Sequence, residues 1–389
     1  MKKKVYIVSS KLPPEYSGSG NRIFNTYARL EKYNIHSKFI CSSTENFKGK
    51  IYKFKNKKIL LISEKKILSN KFLFKLKYFF NIFIFLKEFF LTLKILVAEK
   101  NKIKLLHIVG NNAVTVAAIN FSRIYKIPSI IEVVNDMVIT EYYLPSILKC
   151  YYTNKIPEWS KIIVISKKLK KLYNTKYPKN NIWYKPNPIN KQFLNFKKRN
   201  LNNKKDKISI LHLAKFIPRK KQNFLIDVLS KLPSNYTLKL YGPISRKGIL
   251  KKRDIIYLKD IKNQVLRLGL KDRVKIKAKF IPNPAKEISN CDIFALPSIN
   301  EGLGTTVLEA VALQIPIICN NQKEVFGEFV INGRNGYLTD LNEFLWAKNI
   351  LKLKKINKND LIKFSKNIKK KYSYKILDKE LIKKINDIN

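Results

Sequence analysis

Short β-branched runs alternate with longer stretches of helical period along the whole chain. In the first half, Val5–Val8, Ser37–Cys41, Leu105–Val109, Ser129–Val134 and Lys161–Ile165 read as buried strands. Continuous apolar runs of this length suit a sheet covered on both faces. Between them, segments such as Asn21–Lys32 and Ala113–Tyr125 repeat apolar residues at helical spacing. In the second half the strands fall at Ile208–Leu213, Thr237–Tyr241, Val274–Lys277, Ile293–Leu296 and Ile315–Cys319. Such alternation predicts parallel sheets with helices on both faces, and it occurs twice. The polar, aperiodic stretch KKRNLNNKKDK (Lys197–Lys207) between the two series reads as a linker. The expected organisation is α/β, with one Rossmann-like domain over 1–195, a linker over 196–207 and a second such domain over 208–365. A terminal helix over 366–389 is expected to pack back on the first domain. In open parallel sheets ligands bind beyond the carboxyl ends of the strands. The loops that follow strands are therefore where chemistry is to be sought.

One helical segment stands apart. Asn70–Ala98 carries nine aromatic residues and five lysines, and its longest charge-free run is Tyr78–Leu86. That run is far short of the ~20 apolar residues of a membrane-spanning helix. On a helical wheel Lys87 and Lys94 share a side, whereas Lys71 and Lys75 point elsewhere. Two readings stay open: a helix buried against the first domain, or a peripheral element docking on an anionic membrane.

Composition narrows the partners only a little. The 389 residues hold 79 Lys+Arg against 27 Asp+Glu, a net charge of +52. A field this positive attracts polyanions of any kind, and the dominance of Lys, Asn and Ile also fits an AT-rich genome. With 45% apolar residues there is ample material for two cores. Cys41, Cys150, Cys291 and Cys319 are scattered without a CxxC pair, which argues for a reducing, cytoplasmic setting and against a zinc site. The start MKKKVYIVSSKLPP has too short an apolar run for a signal peptide, so no cleavage is expected.

The stretch SINEGLGTTVLEAVALQIPIICNN (Ser298–Asn321) carries the most specific chemistry. A buried strand ending near Ser298 runs into a tight turn over Asn300–Gly304, and a helix starts near Thr305. Gly302 and Gly304 let a ligand approach the backbone, and the free N–H groups of Thr305 and Thr306 make an anion site for a diphosphate. Glu301 precedes that site and Glu309 lies about one turn into the helix. Carboxylates are poor phosphate ligands but good acceptors for sugar and ribose hydroxyls. An ordinary helix N-terminus with acidic residues favoured by the dipole is the plain alternative for this stretch taken alone.

Here the sequence resembles the retaining glycosyltransferases of family 4, which share the two-domain GT-B fold. EGLGTTVLEA has their Glu, seven residues, Glu spacing, with Gly302-Leu303-Gly304 as the turn. ALQIPIICNNQKEVFGEFVINGRNGYL is similar to the series that follows, with Gly327, Glu328, Gly333 and Gly336 in place. LHLAKFIPRKKQNFLIDVLSKL resembles the segment bearing the basic pair for the diphosphate, with Lys215 at the usual Arg and Lys220 at the usual Lys. Lys221 replaces the glycine after that lysine, so Lys221 or Arg219 could stand in for Lys220. Asn187 falls in the expected Pro-Asn turn, and Gly18 and Gly20 in the first-strand loop beside the cleft between the domains. Asn135, followed by Asp136, stands where the family often has a histidine near the donor sugar. None of His36, His107 and His212 falls there, and His107 reads as structural more readily than catalytic.

The resemblance implies glycosyl transfer with retention from a UDP- or GDP-linked sugar to a hydroxyl acceptor. The first domain would hold the acceptor and the second the nucleotide sugar. Lys215, Lys220 and Thr305–Thr306 would meet the leaving diphosphate, Glu301 the donor sugar and Glu309 the ribose. No DxD pair occurs in the sequence, so no metal and no cofactor beyond the sugar nucleotide is expected. A cell-envelope or lipid-linked glycan acceptor, met at the inner face of a membrane, suits the basic and aromatic surface. The alternatives are a GT-B nucleotide-sugar epimerase and, more remotely, a basic nucleic-acid-binding protein. Evenly spread lysines and the absence of any zinc-finger or RNP-like stretch speak against a specific nucleic acid partner.

Overall fold

The computed structural model describes residues 3–13, 17–43, 51–64, 74–134, 156–194, 207–245 and 248–388. They form two compact units, Met1–Pro186 with Leu377–Asn389, and Asn187–Ile376.

The first unit is built on eight strands: β1 (Lys4–Ser9), β2 (Ser37–Ser43), β3 (Ile51–Phe54), β4 (Lys57–Glu64), β5 (Ile103–Val109), β6 (Ser129–Val133), β7 (Lys161–Val164) and β8 (Ile182–Tyr184). Their order in the sheet is β3-β4-β2-β1-β5-β6-β7-β8. All neighbours are parallel except β3 and β4. That hairpin was not expected: it turns on Lys55 and Asn56, both with positive φ (44° and 63°), as a two-residue turn requires. The helices are α1 (Gly18–Leu30), α2 (Phe74–Ala98), α3 (Ala113–Tyr125) and α4 (Lys167–Asn174). Ser17 caps α1 by accepting from the Gly20 N–H, and Asn112 and Thr115 close a reciprocal capping box on α3. Val5, Ile7, Phe24, Tyr27, Leu105 and Ile130 fill the core on one side of the sheet. Phe85 of α2 is buried against Ala113 and Val116 of α3.

The C-terminal helix, Tyr374–Asn386, contributes Leu381 and Ile385 to the first unit's core. Asp378 on this helix receives a two-pronged ion pair from Arg29 of α1, at 2.6 and 3.0 Å.

The second unit has six parallel strands: β9 (Ile208–Leu213), β10 (Tyr236–Tyr241), β11 (Val274–Lys277), β12 (Ile293–Leu296), β13 (Ile317–Asn320) and β14 (Gly336–Thr339). Their order is β11-β10-β9-β12-β13-β14. Single turns aside, its helices are α5 (Gln222–Ser230), α6 (Gly248–Arg267), α7 (Pro284–Ser289), α8 (Thr305–Ala312), α9 (Glu343–Leu353) and α10 (Lys358–Lys371). Ile210, Phe224, Leu238, Ile261, Ile293 and Trp346 lie at the heart of its core. β13 starts at Ile317 rather than at Ile315 because Pro316 has no N–H to give the ladder.

The division between the units also departs from the expected domain limits. It falls between Pro186 and Asn187, ahead of the expected boundary at 195, and returns at Leu377 rather than at 366. Residues 187–194 belong to the second unit because Ile189 and Phe193 are fully buried there, with the Ile189 N–H donating to the Tyr372 carbonyl. Most of the expected linker, residues 196–206, lies outside the described residues.

Candidate active site

In the second sheet the chain leaves β9 to one side for β10 and β11, and to the other for β12 and β13. The loops after β9 and β12 therefore diverge at a topological switch point, where an open α/β sheet leaves a crevice. The two loops are tied together there, since the Ile299 N–H donates to the Arg219 carbonyl at 2.9 Å. Gln322 holds the second loop from below. Its amide donates to the Ser298 carbonyl at 2.7 Å and accepts from the Glu301 N–H at 3.0 Å. Leu303 is buried and anchors the turn, while Gly302 stays half-buried.

Gly304 ends that turn in the left-handed region, with φ 67°. It also lies so close to Phe326 that an added Cβ would sit 2.2 Å from a ring carbon. Only glycine fits both demands. No side chain caps α8: the Val307 and Leu308 N–H groups reach the Gly304 carbonyl at 2.9 and 3.3 Å. Among the described residues nothing accepts from the N–H groups of Thr305 and Thr306. They open the helix toward a ligand.

Glu301 is nearly buried beside this opening, 9% exposed, and one of its oxygens takes a charge-assisted hydrogen bond from Lys220. The more exposed Arg219 approaches the same oxygen at 3.5 Å. Burial pulls the Lys220 ammonium below its usual value, and Glu301 partly restores it. Lys220 ends a single turn, Pro218–Lys220, and Lys221 follows with φ 55° as the N-terminal cap of α5. That left-handed conformation is one that glycine adopts most readily, and Arg219, not Lys221, is the second cation at Glu301.

Below the pair, His212 is fully buried at the end of β9. Its Nδ1 shares a 2.9 Å hydrogen bond with the Ala295 carbonyl and so carries the proton; Nε2 is buried without a partner. Burial pushes its pKa down to about 4, which keeps the ring neutral beneath Lys220.

The remaining expected residues divide. Glu309 lies on α8, half-buried, with no hydrogen-bond or ion-pair partner among the described residues. Loss of water pushes its carboxyl up to about 8. Asn187 donates to the Thr305 hydroxyl at 3.3 Å, and its own side-chain oxygen is buried without a partner. Lys215 is turned toward the buried Asp254 of α6, 3.7 Å away, and makes no ion pair with Glu301. Glu328 is taken up by Lys371 at 2.8 Å and acts as a structural tie.

Gly18 and Gly20 belong to the first unit, where they open α1 instead of forming a loop. A Cβ on Gly20 would lie 2.2 Å from the Lys11 carbonyl oxygen, so its smallness serves packing of helix on loop. Asn135 and Asp136 lie outside the described residues. His107 is locked in the core by Tyr27, whose hydroxyl meets Nδ1 at 2.7 Å, with Nε2 3.7 Å from Glu132. Burial would raise the Glu132 carboxyl, but the Arg22 guanidinium and His107 hold it at about 2.

Sequence reasoning gave no role to His212 or Gln322. Both act through buried hydrogen bonds to strand and loop backbone, for which spacing carries no signal.

Residues 194–371 match the family described as Glycosyl transferases group 1. The second unit carries a group 1 glycosyl transferase domain. An uncharacterized glycosyltransferase of Methanocaldococcus jannaschii is 28% identical over 182 residues, 47% of this chain and 46% of that protein. The N-acetylgalactosamine-N,N'-diacetylbacillosaminyl-diphospho-undecaprenol 4-alpha-N-acetylgalactosaminyltransferase of Campylobacter jejuni is 28% identical over 130 residues, 32% of each chain. The chain thus matches less than half the length of these relatives. The crystal structure of Anabaena HepE in complex with UDP and glucose superposes with a TM-score of 0.72 at 15% identity, covering 99% of both chains. The glycosyl transferase domain and the first unit together have the GT-B fold.

Proposed function

We propose that this chain is a retaining glycosyltransferase of family 4 that moves a sugar from a UDP- or GDP-linked donor to a hydroxyl on an envelope glycan, without a metal ion. The observation that carries the reading is the open N-terminus of α8, set beside a carboxylate already held by two cations. An anion arriving at Thr305 and Thr306 competes with Glu301 for Lys220. Lys220 then swings to the diphosphate, and the carboxylate of Glu301 is released to accept from the sugar's hydroxyls. The partner exchange couples donor binding to assembly of the site, and it leaves a positive charge facing the oxygen on which negative charge grows as the sugar departs. Lys215, turned toward Asp254, stands as a further reserve of charge. Glu309 accepts from the ribose. The first unit receives the acceptor, and the undecaprenol-linked substrate in the Campylobacter relative's name supports a lipid-linked one. No helix among the described residues is long and apolar enough to cross a membrane. In this reading the enzyme meets such an acceptor at the inner face of the membrane.

A thermal-shift screen against UDP, GDP, ADP and their sugars tests this reading. A ligand at about a hundred times its Kd stabilises the bound state by about 2.7 kcal/mol, enough for a clear shift. One base should stand out; no shift with any nucleotide would remove the reading.

Glu309 gives a sharper check. Glu309→Ala should raise the donor KM by up to about tenfold with kcat little changed, as loss of a hydrogen bond between a neutral carboxyl and the ribose would. Its carboxyl also makes stability depend on pH. The folded value of about 8 lies above the ordinary 4.5, so the folded state binds the extra proton and wild-type stability falls as pH rises between those values. Melting curves of Glu309→Gln and wild type should therefore separate in the variant's favour from pH 5 to pH 8. A gap that stays constant would show Glu309 to be well solvated.

A further inference from the structure

Among the described side chains of α2, two faces differ in kind. Phe85, Glu88, Thr92 and Leu96 are buried, and Glu88 is fixed inward by a 3.0 Å hydrogen bond from Ser42. Phe83, Leu86, Phe90 and Val97 lie on the opposite side, 66%, 38%, 61% and 44% exposed. The spacing of three, four and seven puts these four on one stripe. Lys87 and Lys94, both exposed, stand on its flank one turn apart from the aromatic rings. Between residues 82 and 98 the only acidic side chain is the buried Glu88, so the outward face is apolar and purely cationic. The reading of a helix packed against the first domain thus holds for one side of α2, and the other side is left to solvent.

We propose that this face of α2 docks the protein on an anionic lipid bilayer, with Phe83 and Phe90 in the interface and Lys87 and Lys94 at the headgroup phosphates. The charge selects the occupant. A second copy of this chain packed face to face would bring four lysines together with no acid to answer them. A bilayer carrying anionic lipid offers an apolar layer beneath a negative one, in the order in which the helix presents rings and ammonium groups. Phe85 stacks on Phe89 at 6.2 Å, and Phe89 meets Phe90 edge-on at 5.4 Å, so the exposed Phe90 ring is braced from the core. The proposal deepens the envelope-acceptor reading and rests on it for its purpose: a chain held at the membrane meets a lipid-linked acceptor in two dimensions.

Co-sedimentation with vesicles of phosphatidylglycerol and phosphatidylcholine tests it, with phosphatidylcholine alone as reference. Wild type should bind the anionic vesicles and leave the neutral ones. Phe83→Ser with Phe90→Ser keeps every charge yet should bind at least about tenfold more weakly. Lys87→Glu with Lys94→Glu should also lose binding, and both variants should keep the wild-type nucleotide-induced thermal shift. Equal binding by wild type and the serine variant would assign attraction to the general charge of the chain and overturn the proposal. A dimer in solution that the serine substitutions dissociate would give the face to a second copy instead, and would equally end it. Failure of the nucleotide shift in wild type would strike the enzymatic reading alone and leave the vesicle result standing.

Discussion

Lys220→Met will lower kcat/KM by about 10²–10³-fold, the usual cost of removing one preorganised donor from a site where negative charge develops. Methionine keeps most of the buried stem, so the change isolates the ammonium. Lys220 is only 14% exposed, and it is the shorter of the two cationic contacts to Glu301. Its loss leaves Glu301, nearly buried, with the half-exposed Arg219 at 3.5 Å as its remaining cation. Arg219 can follow the carboxylate but not also neutralise a diphosphate, so both halves of the partner exchange fail together. Removing one member of a buried pair costs about 3–5 kcal/mol when nothing replaces it, and Arg219 should hold the stability loss below that range. Kinetics and melting must therefore be read side by side: a large fall in kcat/KM with a modest fall in Tm marks a catalytic cation. Lys220→Arg should recover part of the rate, because charge rather than shape is what the phosphate needs. Activity within a factor of about ten of wild type in a folded Lys220→Met protein would leave this lysine only a structural role.

Gly304→Ala should destabilise the second unit by about 2–4 kcal/mol and abolish the nucleotide-induced thermal shift. A residue with a Cβ at φ 67° costs about 1–2 kcal/mol by itself. The clash adds to it. Phe326 is fully buried and packs edge-on against Phe329, which in turn meets Tyr372, with ring centroids 6.0 and 6.4 Å apart. A fully buried ring backed by Phe329 has little room to retreat from a methyl placed 2.2 Å away, and overpacking of this kind costs about 1–3 kcal/mol more. The smaller entropy of an unfolded chain with alanine returns about 0.4–1 kcal/mol. What yields instead is the turn, and with it the aim of the Thr305 and Thr306 N–H groups. Urea unfolding with and without nucleotide measures both effects; an alanine variant as stable as wild type that still binds would mean the loop is free to relax.

How much of this was legible beforehand depended on whether a feature is written in local pattern or in tertiary contact. β9 and β12 were legible to the residue, because parallel strands buried on both faces read as largely apolar runs; the edge strand β11 showed as the alternation VKIK, and α3 through its helical spacing. The hairpin β3–β4 escaped, since Lys55-Asn56 is not a dipeptide that announces a two-residue turn. β14 escaped as well: it is four residues long and opens on Gly336. At the site, the spacing from Glu301 to Glu309 and the glycine turn located the crevice, and the open start of α8 follows from them. Pairing could not be read in the same way. Nothing in the order of residues says that Lys220 reaches Glu301 while Lys215 turns to Asp254, because both lie on one loop and the choice is made by α6. Likewise the periodicity of α2 held both its buried and its exposed face, and only burial separated Phe85 from Phe83 and Phe90.

The most direct test is a crystal structure with an intact nucleoside diphosphate sugar bound. Phosphate oxygens should accept from the Thr305 and Thr306 N–H groups, with Lys220 moved off Glu301 onto the diphosphate and Glu301 facing sugar hydroxyls. A nucleotide bound away from the α8 N-terminus, with the Lys220–Glu301 pair undisturbed, would contradict the account.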